Sequence, residues 1–244
     1  MLPATAANSG VDLGQARAMR LFLIRHAEST NNRAWAEHGD DYGRSPDAPL
    51  TALGHDQVSA LSAWIRADRS RLPATTLYTS LAIRCVQTAG PLADVLDLPL
   101  QGHDRLIEIP GLFDLSDDGT ERISHPGAAS HDLMALSDRL TLPNSAGPHG
   151  WWPGPVEDDP ATLARADEVV AGLAAHGDDE VVAMVTHGAF TQYLIPALMG
   201  STVARHGWFT INNTGVSEFE LVDGHADLHF LNRLDHLTQD LVTT

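Results

Sequence analysis

The sequence predicts a three-layer α/β/α fold around a mostly parallel sheet, carried by a single domain over residues 19–244. Three observations carry this. Short apolar runs at 21–24, 75–79 and 181–185 each end in a polar turn and lead into a helical or loop segment. The run 181–185, VVAMV, is apolar throughout, as a strand covered on both faces must be. Strands and helices alternate along the chain, which requires crossovers and so a largely parallel sheet.

Taken in order, residues 1–18 show no period and read as a flexible arm, without the basic start and apolar stretch of a secretory signal. Met19 stands directly before the first strand and would serve as a start. The strand 21–24 ends in Arg25 and His26. The polar stretch after Asn32, with Gly43, Pro46 and Pro49, reads as a loop. Val58, Leu61, Trp64 and Ile65 then form a helical stripe, with Thr51 as the N-cap.

The β-branched and aromatic run 75–79 is the second strand. A helix follows from Ser80, with Ile83, Val86, Leu92 and Leu96 inward and Arg84 in its first turn. A short strand is expected at 98–101. Residues 109–158 are dense in Gly and Pro and predict a long loop-rich excursion, with one helix near 131–139. Within it, Trp151 and Trp152 either line a pocket or fix the excursion to the core. A helix at 160–176 should turn Leu163, Val169, Val170 and Leu173 inward. After the strand 181–185 come Thr186-His187-Gly188 and a helix at 190–199. Strands at 216–222 and 226–231 close the chain through Asp223-Gly224, a hairpin turn.

Composition narrows the function classes. The 244 residues carry a net charge of −17, and all 15 basic residues are arginine. That field argues against broad nucleic-acid or membrane-surface binding and leaves room for a local anion pocket. It also excludes a catalytic lysine. One cysteine, Cys85, excludes an internal disulfide framework and fits a reducing, cytoplasmic setting. Next to Arg84 on a helix, its thiol should point elsewhere and lie buried. His225 and His229 have metal-ligand spacing only if helical. The local pattern alternates like a strand, so they read as surface residues.

Three strand ends carry similar chemistry: Arg25-His26, Arg84 and His187. In an α/β sheet such ends share one edge, so the groups can converge. Two guanidiniums and two imidazoles there would bind an anion, and arginine's planar fork suits phosphate oxygens. A neutral imidazole is a competent nucleophile near neutral pH. Phosphoryl transfer to it would still need an acid for the leaving oxygen.

The stretch LFLIRHAESTNN resembles the signature of the histidine phosphatase superfamily, the phosphoglycerate mutase-like proteins. The family's Arg-His-Gly-Glu stands here as Arg25-His26-Ala27-Glu28, and its downstream asparagine as Asn32. Its Pro-Leu-Thr-x-x-Gly-x-x-Gln element is Pro49 to Gln57, unbroken. Its Ser-x-x-x-Arg-x-x-x-Thr-Ala element is Ser80 to Ala89, and its second histidine motif is Thr186-His187-Gly188. The matches come in the family's order over about residues 21–222.

The resemblance implies a phosphoglycerate mutase-like fold and a phosphatase working through a phosphohistidine on His26. Arg25, Arg84 and His187 would bind the phosphate, with Asn32 in a lesser part. Glu108 would donate the proton, with Asp104 and Asp114 as rivals, and Glu28 would orient the loop. The expected partner is a small phosphorylated substrate, the expected assembly a homodimer, and no cofactor or metal is called for.

Four departures narrow the branch. Ala27 replaces the usual glycine, adding one methyl. Ala189 stands where mutases carry asparagine. A lysine-free chain has no counterpart of the mutases' lysine segment. The aspartate that follows the second histidine in the acid phosphatase branch is missing too. The alternatives are a phosphoglycerate mutase-type phosphotransferase and a non-catalytic protein that binds a phosphorylated ligand.

Overall fold

Among the described residues, nine strands and six helices make the fold. In chain order they are β1 (Ala18–Arg25), α1 (Thr30–His38), α2 (Ala52–Ala67), β2 (Thr76–Thr79), α3 (Ile83–Leu96), β3 (Leu100–Gly102), β4 (Phe113–Leu115) and β5 (Arg122–Ser124). There follow α4 (Ser130–Met134), β6 (Leu140–Thr141), α5 (Asp159–Leu173), β7 (Val181–Thr186), α6 (Gly188–Leu198), β8 (Val216–Val222) and β9 (His225–Arg233). The computed structural model describes residues 18–41, 43–177, 179–201 and 207–244. The expected arm, 1–18, lies outside the described residues except for Ala18, which opens β1.

Seven strands form one sheet in the order β6-β3-β2-β7-β1-β8-β9. The five strands from β6 to β1 pair in parallel, and β8 and β9 add an antiparallel edge. β7 sits between β1 and β2, which explains its unbroken apolar run.

Strand alternation separates the two faces. Phe22, Ile24, Leu77, Ala183 and Val185 pack with Leu61 and Ile65 of α2 and Val86 and Leu92 of α3. Leu21, Leu23, Val182 and Met184 pack with Val169 of α5 and Phe190 and Leu194 of α6. These are the three expected layers, each buried Leu, Ile or Val contributing roughly 1.5–3 kcal/mol. Among the described residues, no helix is long and apolar enough to cross a membrane.

Four expectations are corrected. The stretch after Asn32 is not all loop, because α1 forms there. That helix buries no residue, so it lacks the apolar stripe by which helices are read. A capping box between Ser29 and Asn32 starts it instead. Leu163 is 44 % exposed rather than inward, since α5 meets the core through Thr162, Arg165, Ala166 and Val169. The helix near 131–139 shortens to α4, and the chain then adds β6 to the sheet edge. The fourth correction, at Cys85, belongs to the site.

The excursion is held by its two tryptophans. Trp151 and Trp152 are buried in the core beneath it, so they fix it rather than line a pocket. Gly127, at φ +75°, lies so close that a Cβ would fall 2.5 Å from the Trp151 indole nitrogen. His225 and His229 are exposed on β9, with strand rather than helix spacing.

Candidate active site

The site lies at the C-terminal edge of β1 and β7. His26 follows β1, and its backbone N–H donates to Thr186 O at 2.9 Å, tying the two strand ends together. The Nδ1–H of His26 donates to Ala27 O at 2.7 Å; a carbonyl can only accept, which fixes the tautomer. Nε2 is left with its lone pair, and Arg84 Nε donates to it at 3.2 Å. Arg84 Nη2 donates to His187 Nδ1 at 3.1 Å, so His187 carries its proton on Nε2 and donates to Ser80 Oγ at 2.9 Å. The two rings meet edge to face, 5.1 Å apart.

Both imidazoles are neutral. Burial first, then the charge of Arg84, hold His26 and His187 well below the usual 6.5. Arg25 is pushed down to about 10 by burial, against the pull of Glu108. Its Nη1 donates to Ile211 O, while its Nε is a buried donor without a partner among the described residues. A donor left unmade is costly unless a ligand completes it.

Two outcomes follow from the neutral imidazoles. The free protein should keep its nucleophile uncharged well below pH 6.5, so the acid limb of kcat/KM should fall below that value. Stability should move the other way. Below pH 6.5 the unfolded chain binds protons that buried His26 and His187 do not, so stability is full above 6.5 and declines as pH falls beneath it. Thermal melts from pH 7 to 5 check the sign.

Glu108 sits at the start of α6. Its Oε1 accepts from Phe190 N at 2.8 Å and from its neighbour Ile109 N at 3.0 Å; Oε2 accepts from Ala189 N at 3.3 Å. These bonds hold the side chain in place at the N-terminal end of α6. The segment before it is fixed by buried Arg165, whose Nη1 donates to Arg105 O and Ile107 O while Glu157 neutralises it. The rivals lie elsewhere: Asp104 accepts from Ser145 Oγ, and Asp114 is exposed. His26, Glu108 and His187 place ligating atoms within 4.8 Å of one another, a set that could touch one ion. With Arg84 bonded to both imidazoles and Arg25 alongside, the local charge suits an anion better than a cation.

The remaining motif residues hold the loop that carries His26. Ala27 N–H donates to Thr88 Oγ1, and Ala27 is wholly buried. Glu28 N–H donates to Gln57 Oε1, and the Glu28 carboxylate accepts from Thr51 Oγ1 at 2.6 Å, the orienting role expected of it. Gly54 packs so tightly under this loop that a Cβ would stand 2.2 Å from Glu28 O. Gly54→Ala should therefore push the loop and cost about 1–3 kcal/mol, measured by thermal unfolding. Asn32 Oδ1 accepts from Ser29 N and Oγ, and Asn32 lines the cavity beside His26 and Arg84.

Sequence reasoning missed three contributors. Arg44 lines the His26 cavity and stacks 3.5 Å above the Phe113 ring; burial pushes it to about 10. Asn213 Nδ2 donates to His26 O. Arg165, above, fixes the Glu108 segment. None had a local signal, because each is brought in by tertiary packing. Cys85 is the fourth correction: its thiol reaches 3.4 Å from His187 Nε2 instead of pointing away. The first turn of α3 lies across the end of β7, so adjacent residues flank the same ring. Burial pushes that thiol up, which keeps it inert.

A three-layer α/β protein with two neutral imidazoles, two guanidiniums and a carboxylate at one sheet edge can hold and attack a phosphoryl group. The chain belongs to the histidine phosphatase superfamily, branch 1, whose sequence profile matches residues 21–234. No curated protein sequence matches it. Solved structures share the fold at low identity. Phosphoserine phosphatase of Entamoeba histolytica is 22 % identical, with 90 % of this chain and 100 % of that chain covered and a TM-score of 0.60. A mycobacterial glucosyl-3-phosphoglycerate phosphatase is 21 % identical, with 89 % and 100 % covered and a TM-score of 0.58. The ecdysone phosphate phosphatase of Bombix mori, in complex with tungstate, is 15 % identical, with 91 % and 95 % covered and a TM-score of 0.62.

Proposed function

We propose that the protein is a phosphomonoesterase that works through a phosphohistidine on His26. One observation carries this reading: His26 Nδ1 is locked to Ala27 O, which leaves the Nε2 lone pair at the cavity beside Arg84. Arg25 and Arg84 hold the phosphate oxygens, with His187 and Asn32 beside them. Nε2 attacks phosphorus, the bond to the leaving oxygen breaks, and Glu108 gives that oxygen its proton. Water then loses a proton to Glu108 and attacks phosphorus. The N–P bond breaks, and neutral His26 and free phosphate return.

Family membership supports this reading, as do the three departures that weaken the specialised branches: Ala189, the missing lysine segment and the missing aspartate. A cytoplasmic setting and a homodimer are proposed with it. The test is hydrolysis of p-nitrophenyl phosphate, run beside a coupled assay for exchange between the two phosphoglycerates. Hydrolysis without exchange is expected. Exchange in place of hydrolysis would make the protein a mutase, and neither would leave a binding protein.

A further inference from the structure

The backbone that aims His26 is held by residues distant in the chain. Ala27 O, which accepts from His26 Nδ1, shares one rigid peptide plane with Glu28 N–H. Gln57 Oε1 accepts from that N–H at 2.8 Å, so holding one end of the plane holds the other. On the near side of Ala27, Asn213 Nδ2 donates to His26 O at 3.0 Å. The two amides, Gln57 and Asn213, are wholly buried.

Thr243 joins them. Gln57 Nε2 donates to Thr243 Oγ1 at 2.8 Å, and Thr243 Oγ1 donates to Asn213 Oδ1 at 3.0 Å. A hydroxyl has a single proton, so accepting from Gln57 and giving to Asn213 sets one direction along the chain of bonds. That chain runs from Glu28 N–H through Gln57, Thr243 and Asn213 to His26 O, and Ala27 closes it into a ring. We propose that Thr243 is a positioning residue for the nucleophile. Its hydroxyl clamps the two peptides on either side of Ala27 and so keeps His26 Nε2 aimed into the cavity beside Arg84. The proposal rests on the phosphatase reading and adds to it a residue that acts through its neighbours.

The two arms of the clamp differ in strength. Gln57 Nε2 also donates to Leu241 O at 2.7 Å, so that amide keeps a partner without Thr243. Asn213 Oδ1 has no other donor among the described residues. Loss of the hydroxyl therefore leaves a buried acceptor unpaired, and the Asn213 amide relieves this by moving off His26 O. The segment itself stays docked, because Thr243 O still accepts from Asn213 N and from Asn212 Nδ2.

Thr243→Val keeps the shape and removes the hydroxyl; Thr243→Ser keeps the hydroxyl. Each is mixed, in saturating excess, with p-nitrophenyl phosphate, and phenolate release is followed through one turnover. Thr243→Val should slow that step by about tenfold at unchanged half-saturation, and Thr243→Ser should restore it to within about twofold. Adding Asn213→Ala to Thr243→Val should cost little more than either change alone, since both cut the same link. The proton signal of His26 Nδ1–H, assigned by its absence from His26→Ala, should exchange faster with water in Thr243→Val. A Thr243→Val rate within twofold of wild type would overturn the clamp. So would a Thr243→Ser variant as slow as Thr243→Val, losses that multiply in the double variant, or an unchanged ring signal. Should Thr243→Val fail to fold, Asn213→Ala alone decides: an unchanged rate and ring signal overturn the clamp. No phenolate from the wild type would remove the phosphatase reading, and the ring signal would still judge the clamp.

Discussion

His26→Ala should lower turnover of p-nitrophenyl phosphate by at least about 10⁴-fold while the protein remains folded. The nucleophile is lost outright, and no neighbour can replace it. His187 is wholly buried and does not line the cavity that His26 lines, its Nε2 proton is held by Ser80, and the Cys85 thiol is kept protonated by burial. The fold should survive because the strand-end bond from residue 26 to Thr186 O is made by backbone. Circular dichroism and a thermal melt check folding in the same preparation. Free imidazole should restore part of the rate by filling the vacated space. Activity within tenfold of wild type would refute His26 as nucleophile.

Glu108→Gln should have the second largest effect, and a selective one. The glutamine oxygen can still accept from Phe190 N and Ile109 N, so the side chain stays in place. It can neither give a proton to the leaving oxygen nor take one from water. For alkyl phosphates kcat should fall by about 10²–10⁴-fold. For dinitrophenyl phosphate, whose leaving phenolate needs no proton, the first step should be far less impaired. That substrate should then show a burst of phenolate and a slow steady state, because hydrolysis of the phosphohistidine still lacks its base. Equal losses on both substrates would mean that Glu108 only positions the site.

Much of this site was legible in the sequence because its chemistry lies at strand ends. Arg25-His26, Arg84 and His187 each follow an apolar run or open the helix after one, and a parallel sheet forces such positions together. The fold was legible for the same reason: β7 announces its central place by being apolar on both faces. Where periodicity is weak, the sequence does not show the element. α1 has no buried residue and so no stripe, and its start rests on the Ser29–Asn32 capping box rather than on packing. Leu163 looks like a core residue in a list of apolar positions, yet α5 turns buried Arg165 to the interior instead. That choice makes sense only once Glu157 and the carbonyls of Arg105 and Ile107 are seen around the guanidinium. Arg44 and Asn213 carry no motif at all, and only the folded chain brings them to the cavity. The Trp151 and Trp152 question was settled by burial, which composition does not encode.

The proposed chemistry turns on a covalent bond between His26 Nε2 and phosphorus. Glu108→Gln should accumulate it, so that variant is mixed with dinitrophenyl phosphate, stopped in alkali, cleaved after arginine and read by mass spectrometry. The peptide that runs from His26 to Arg33 should carry one phosphoryl group on the histidine, stable in alkali and lost in acid. A phosphoryl group on any other residue, or none on this peptide while phenolate is released in a burst, would contradict the account.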